Sequence, residues 1–292
     1  MEGPVFRGEV FCAKSPRHDE FHETMATKAL TGSAEPDHHG AQTVDRAVAV
    51  LRHLAAGGEA GLRLVDLQGL TQLSKPTVHR ILSSLARNGM VSQDTATKRY
   101  RLGGEIAILG WMAARYSPDL RELCRPAMER LAEESGDTVF LAVPSGHDSV
   151  CVDRKTGSYP IKAFTVDVGT RRPLGIGATG IALLAKLDPV AEEQVYASVR
   201  RRLSHYSNVD EPAIRAAVKR ARVDGYAYSD GHVLPAVRGI GTVFTTRGGV
   251  VVGALGLAAI RERMSPARVK TLVAALAASR AQIERRLAAA TS

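Results

Sequence analysis

The stretch Leu73–Val91, LSKPTVHRILSSLARNGMV, decides how the first third of the chain folds. Ser74 stands where a helix N-cap belongs, and Pro76 falls in the first turn, where a missing N–H costs little. From there Val78, Ile81, Leu82 and Leu85 recur at helical spacing and form one apolar stripe. The other side carries Lys75, Thr77, Arg80, Ser84 and Arg87, flanked by His79 and Ser83. Asn88-Gly89 supplies a left-handed stop. Such a helix buries one side and offers hydrogen-bond donors on the other.

The flanks give that helix a setting. Upstream, Thr43 reads as the N-cap of a helix with apolar Val44, Ala47, Val48, Leu51 and Leu54, ended by Gly57-Gly58. A short second helix from about Leu64 buries Leu64 and Leu67, and a turn through Thr71–Leu73 leads into the third. Downstream, Val91-Ser92-Gln93, a turn at Asp94–Lys98, and Arg99-Tyr100-Arg101-Leu102 read as a β-hairpin. Three helices and a hairpin make a winged helix-turn-helix, whose third helix suits a DNA major groove about 12 Å wide. Thr77, Arg80 and Ser84 then face base edges, while Ser74, Lys75, His79, Ser83 and Arg87 complete the contact surface. Lys75 and, on the wing, Lys98, Arg99 and Arg101 would meet phosphates, adding affinity without sequence information. The bland alternative is a three-helix module whose charges only keep it soluble.

Charge distribution supports the DNA reading. The 292 residues carry a net +9. Residues 1–41 hold four basic and seven acidic side chains, residues 42–102 nine and four, and the remaining 190 share a net +7. The basic density therefore peaks on the winged helix, where an anionic partner would dock. Residues 1–41 show no apolar period and read as an acidic disordered tail, with Met25 an alternative start to Met1. His18, His22, His38 and His39 lie there without a fixed donor set, so no metal and no cofactor are expected. Three separated cysteines, Cys12, Cys124 and Cys151, exclude a disulfide scaffold and a CxxC site. No signal-peptide core or spanning segment is evident, which places the expected protein in the cytoplasm, away from membranes.

Beyond the wing, Gly103-Gly104 opens a helix with Ile106, Ile108, Leu109 and Trp111, closed by Ser117-Pro118. A helix follows over 119–135, then strands at Thr138–Val143, Ser149–Asp153 and Ile161–Val166. Helices are expected at 178–187, 189–203 and 210–224, strands near 226–229, 238–246 and 250–258, and a final helix from Ser265 to about Ala289. Strands grouped on either side of helices, without βαβ alternation, argue α+β with a mainly antiparallel sheet. The domains fall at 1–41 (tail), 42–102 (winged helix), 103–117 (linker helix) and 118–288 (second domain). Gly175-Ile-Gly-Ala-Thr-Gly180 satisfies the dinucleotide pattern GxGxxG, but Arg171-Arg172-Pro173 before it is no buried strand and no βαβ unit surrounds it.

The runs TVDRAVAVLRHLA (43–55), LSKPTVHRILSSLARNGMV (73–91) and KRYRLGGEIAILG (98–110) resemble the DNA-binding domain of the IclR family of bacterial transcriptional regulators. GTRRPLGIGATGIALLA (169–185) and PAVRGI (235–240) resemble that family's effector domain, so the likeness spans about residues 42–288. It departs at Gln72, Pro76, Ala236 and Val243, where the family often has Gly, Ser, Gly and Pro. The resemblance implies a linker helix that helps pair subunits, a GAF-like effector domain, and operator DNA as partner. It also implies a dimer or dimer of dimers, with a small organic acid as effector. Gly177, Ala178 and Thr179 at a helix N-terminus, with Asp230, Arg238 and Gly239 opposite, are the candidate effector contacts. Arg238 suits a carboxylate bidentately.

Two further functions compete. An enzyme tethered by the basic module has Cys151 beside Asp153 as its nearest reactive group, but no GxSxG elbow, HExxH or P-loop lysine motif is present. An architectural DNA binder needs no ligand at all.

Overall fold

The computed structural model describes residues 38–114 and 119–290. Residues 1–37 of the expected tail, with Met25, lie outside the described residues, as does the helix closure at Ser117-Pro118, whereas residues 38–41 are helical rather than tail.

The first unit opens with α1 (His38–Ala56), followed by α2 (Leu64–Thr71) and α3 (Lys75–Arg87). A hairpin of β1 (Val91–Gln93) and β2 (Tyr100–Leu102) completes it, with Val91 opposite Leu102. Thr43 is not the N-cap: α1 already runs from His38, because Gly40-Ala41-Gln42 continue the helix into the apolar-periodic stretch. The apolar stripes converge as the spacing requires. Val50, Leu54, Leu67, Val78, Ile81 and Leu82 form one core with Val91 and Tyr100 of the hairpin. Leu62 pairs with Tyr100 through reciprocal backbone hydrogen bonds (3.0 and 2.7 Å), tying the wing to the loop after α1. Gln72, between α2 and α3, adopts a left-handed conformation (φ 56°).

A linker helix, α4 (Gly104–Ala114), follows. The second unit is a six-stranded, wholly antiparallel sheet in the order β5-β4-β3-β8-β7-β6. Its strands are β3 (Thr138–Ser145), β4 (Asp148–Thr156), β5 (Arg171–Pro173), β6 (Ala227–Asp230), β7 (Val237–Thr245) and β8 (Val251–Ile260). The helices are α5 (Leu120–Ser135), α6 (Gly177–Leu184), α7 (Pro189–Leu203), α8 (Glu211–Asp224) and α9 (Pro266–Ala290). Side-chain alternation along the strands divides the sheet into two faces. Val139, Leu141, Leu255 and Leu257 pack under α5 and α9 with Met128, Leu131, Leu276 and Ile283. On the other face, α6 to α8 build a second core around Ile181, Leu184, Tyr196, Val199, Ile214 and Val218.

The expected strand at Ile161–Val166 does not form. The outer edge of β4 is taken by the segment just downstream: Cys151 exchanges backbone hydrogen bonds with Gly169 and Thr170 (2.7 and 3.0 Å), and Asp148–Val150 pair with β5. Residues 157–170 are thereby expelled from the sheet as a loop, with tight local bonds from Phe164 N–H to the Lys162 carbonyl (3.0 Å) and from Thr165 N–H to the Ala163 carbonyl (2.8 Å). Arg171-Arg172-Pro173 do form a strand, but a short antiparallel one at the sheet edge. Gly175–Gly180 therefore sits in no βαβ unit.

Helix α6 lies against bare backbone. A Cβ on Gly241 would come within 2.8 Å of the Ala178 carbonyl oxygen, and one on Gly256 within 2.6 Å of Thr179 Cγ2. Glycine at these strand positions lets the N-terminal turn of α6 sit directly on β7 and β8.

Candidate nucleic-acid interface and effector cavity

The third helix presents its polar face to solvent. Lys75, His79, Arg80, Ser84 and Arg87 are exposed, and Thr77 and Ser83 are half-buried at its margins. Ser74 occupies the N-cap position, yet its hydroxyl pairs with the Thr77 hydroxyl (2.8 Å) instead of a backbone N–H. That bond fixes Thr77 at the start of the helix. At the wing tip, Asp94 Oδ1 accepts from Ala96 N–H and Thr97 N–H (2.9 Å each), and these bonds hold its carboxyl below the usual carboxylate range. Lys98 takes a left-handed conformation (φ 57°) at the turn's exit.

Lys98 and Arg101 are exposed. Arg99 has a different job: it is half-buried, and its Nη1 donates to the Gly61 carbonyl (2.9 Å), stapling the wing to the loop after α1. None of Lys75, Arg80, Arg87, Lys98 and Arg101 makes an ion pair among the described residues. A face of cations without carboxylate partners on a helix about 20 Å long matches what a phosphate-lined groove requires.

The second unit carries a cavity, open to solvent at its mouth, between the α6 face of the sheet and the 157–170 loop. Its floor is Phe140, Ala142, Gly256 and Ala258, residues of β3 and β8 that face away from α5 and α9. The start of α6 forms one wall with Gly177, Ala178 and Thr179, and Gly239 and Arg238 of β7 form another. Asp230 is absent from the lining. It is a counter-ion, accepting from Arg238 Nε and Arg261 Nη2, each at 3.1 Å. The structure thus brings five of the six anticipated positions to one cavity.

Sequence reasoning missed the polar groups that stand closest to this space. Arg172 of β5 lines the cavity with Ser149 and Cys151 of β4, and His232 and Ser229 line it from the β6 end. Arg172 donates to the Thr165 carbonyl, holding the loop over the mouth. Arg154 holds the same loop further along, through the Val166 carbonyl (2.9 Å) and Asp167 (2.8 Å), with its guanidinium stacked 4.2 Å from the Phe164 ring. Burial lowers the pKa of Arg172 and keeps His232 below its ordinary value. It also pushes the Cys151 thiol up to about 11, which makes a poor nucleophile at neutral pH. The signal for Arg172 lay in the RRP run, but only the edge strand shows which way it faces.

A winged helix with an unpaired cationic face, in one chain with an antiparallel domain enclosing a ligand-sized cavity, defines the class of DNA-binding regulators that carry an effector domain. Comparison with known proteins names the branch. Residues 43–95 match the IclR helix-turn-helix domain, and residues 112–285 match the IclR C-terminal domain of bacterial transcriptional regulators. The glycerol operon regulatory protein of Streptomyces griseus is 31% identical over 253 residues, covering 85% of this chain and 97% of that protein. The HTH-type transcriptional repressor AllR of Salmonella typhi is 28% identical over 242 residues, covering 81% of this chain and 87% of that one. Among solved structures, a putative IclR regulator from a Silicibacter species superposes with a TM-score of 0.72 at 27% identity, covering 84% of this chain and 96% of its own. An IclR homologue from Microbacterium hydrocarbonoxydans, complexed with 4-hydroxybenzoate, superposes at 0.64 with 24% identity, covering 84% of this chain and 98% of its own.

The chain belongs to the IclR family: it is a DNA-binding transcriptional regulator, not an enzyme. No helix among the described residues is long and apolar enough to cross a membrane.

Proposed function

We propose that the protein controls a metabolic operon, of the catabolic kind, by binding double-stranded operator DNA as a dimer or dimer of dimers in the cytoplasm. A small organic acid in the β3/β8/α6 cavity shifts that binding. The carrying observation is the solvent-facing, carboxylate-free surface of α3, with Thr77, Arg80 and Ser84 along one line and Ser74, Lys75, His79, Ser83 and Arg87 around it. Arg80 and its neighbours read base edges, while Lys98 and Arg101 bind phosphate. Arg99 contributes chiefly by holding the wing in place.

The effector reading rests on a solvent-open cavity whose walls include Gly177, Ala178, Thr179, Arg238 and Gly239. Asp230 acts there indirectly, by holding Arg238. Regulation follows if the acid binds two arrangements of the protein with different affinity. The organic-acid complex of the Microbacterium homologue supports that choice of chemistry.

Operator binding at several salt concentrations tests the DNA assignment. Arg80→Ala is expected to cost about 1–3 kcal/mol and relax base preference, whereas Lys98→Ala weakens all sequences alike and reduces the salt slope by about one. Unchanged operator affinity for Arg80→Ala at every salt concentration overturns the recognition-helix assignment.

A further inference from the structure

The two arginines on the cavity wall differ in one respect that matters for an acid. Arg238 already has a counter-ion, which it shares with Arg261: its Nε donates to Asp230 Oδ1 at 3.1 Å. Arg172 makes no ion pair among the described residues. Its single side-chain hydrogen bond goes to the neutral Thr165 carbonyl. The two groups of opposite polarity that face it are the Tyr206 phenol and the Cys151 thiol. Both are uncharged at neutral pH, since burial raises each pKa, Cys151 to about 11. A half-buried guanidinium without a counter-charge is a costly arrangement, and an anion entering the cavity relieves it.

A second group points the same way. His232 Nδ1 is buried and has no hydrogen-bond partner among the described residues. A buried ring nitrogen left unpaired is suited to a ligand hydroxyl. Between these two groups the cavity offers Phe140, Ala142, Gly256 and Ala258, which present no charge.

We propose that Arg172, not Arg238, anchors the effector's carboxylate, and that the effector is a monocarboxylate with an apolar body and a hydroxyl that hydrogen-bonds His232. The proposal rests on the cavity being the effector site and adds its chemical class. Of the two guanidiniums that line the cavity, Arg172 is the one without a carboxylate partner among the described residues, so a dicarboxylate leaves its second charge to Arg238, which Asp230 already holds. The anchor also carries regulation: Arg172 holds the carbonyl of Thr165, so ligand and mouth loop share one guanidinium.

The test is titration of the full chain with benzoate, 4-hydroxybenzoate, 4-hydroxybenzamide and terephthalate, by calorimetry and thermal shift. 4-Hydroxybenzoate is expected to bind more tightly than benzoate, with the amide and the dicarboxylate far weaker. Arg172→Gln should lower its affinity about 10- to 100-fold, the range for a lost charge-assisted contact. Arg172→Lys should fall between, keeping the charge without the fork. Arg238→Gln should lower affinity less than Arg172→Gln does, because Asp230 already pairs with Arg238. Unchanged operator affinity of the ligand-free Arg172 variants shows that they fold. Retained 4-hydroxybenzoate binding by Arg172→Gln, or loss only in Arg238→Gln, overturns the anchor and leaves the cavity reading standing. Failure of the wild-type chain to bind any of the three carboxylates counts against the effector reading and the proposal together.

Discussion

Gln72 sits at φ 56° and ψ 25°, a conformation that costs an L-residue about 1–2 kcal/mol and glycine nothing. It is the turn between α2 and the reading helix, and its Nε2 partly compensates by donating to the Gly69 carbonyl at 2.5 Å. Replacing it by glycine removes the strain, loses that bond and adds about 0.5–1 kcal/mol of backbone freedom to the unfolded chain. Gln72→Gly is therefore expected to raise the melting temperature of the winged helix by a few degrees at most, without changing operator affinity. A lowered melting temperature shows that the side-chain bond outweighs the strain.

Single elements show how far local pattern reaches. The α3 stripe, the hairpin and α7 at Pro189–Leu203 were legible because each is decided by neighbours a few residues apart. Ile161–Val166 has the composition of a strand and is none, because β4 has one free edge and Gly169–Pro173 occupy it. Arg172 and His232 escaped for the same reason: which side of an edge strand or loop meets a cavity depends on long-range pairing. Another long-range tie fastens α9 to the start of β3. Asp137, with its side chain only 1% exposed, binds Arg263 Nε at 2.8 Å and Arg268 Nη2 at 2.6 Å. Asp137→Ala leaves two arginines facing a buried vacancy and is expected to cost about 3–5 kcal/mol in thermal or urea unfolding. Asp167→Ala, which removes an 85% exposed partner of Arg154, should cost under about 1 kcal/mol. Equal effects from the two variants contradict this account of the clamp.

Across the whole molecule, α4 is the most apolar exposed element. Trp111 is 71% exposed, and Ile108, Leu109 and Met112 are each about half exposed. Such a patch marks a protein contact, which agrees with the proposed self-association. Trp111→Glu is expected to shift the chain toward monomer in sedimentation experiments, and to weaken operator binding because two half-sites are no longer held together. A wild-type chain that is already monomeric, or a variant with unchanged mass, removes α4 from that role.

The cavity itself has an uneven construction. Its floor belongs to β3 and β8, in the middle of the sheet, and α6 is footed on Gly241 and Gly256, whereas Arg172 stands on the edge strand β5 and Ser229 and His232 at the other edge, on β6 and just beyond it. Stability and chemical preference therefore reside in different parts of the domain. A biosensor library randomised at Arg172, Ser229 and His232 alone would redirect the protein toward new inducers while the central strands β3 and β8 go untouched.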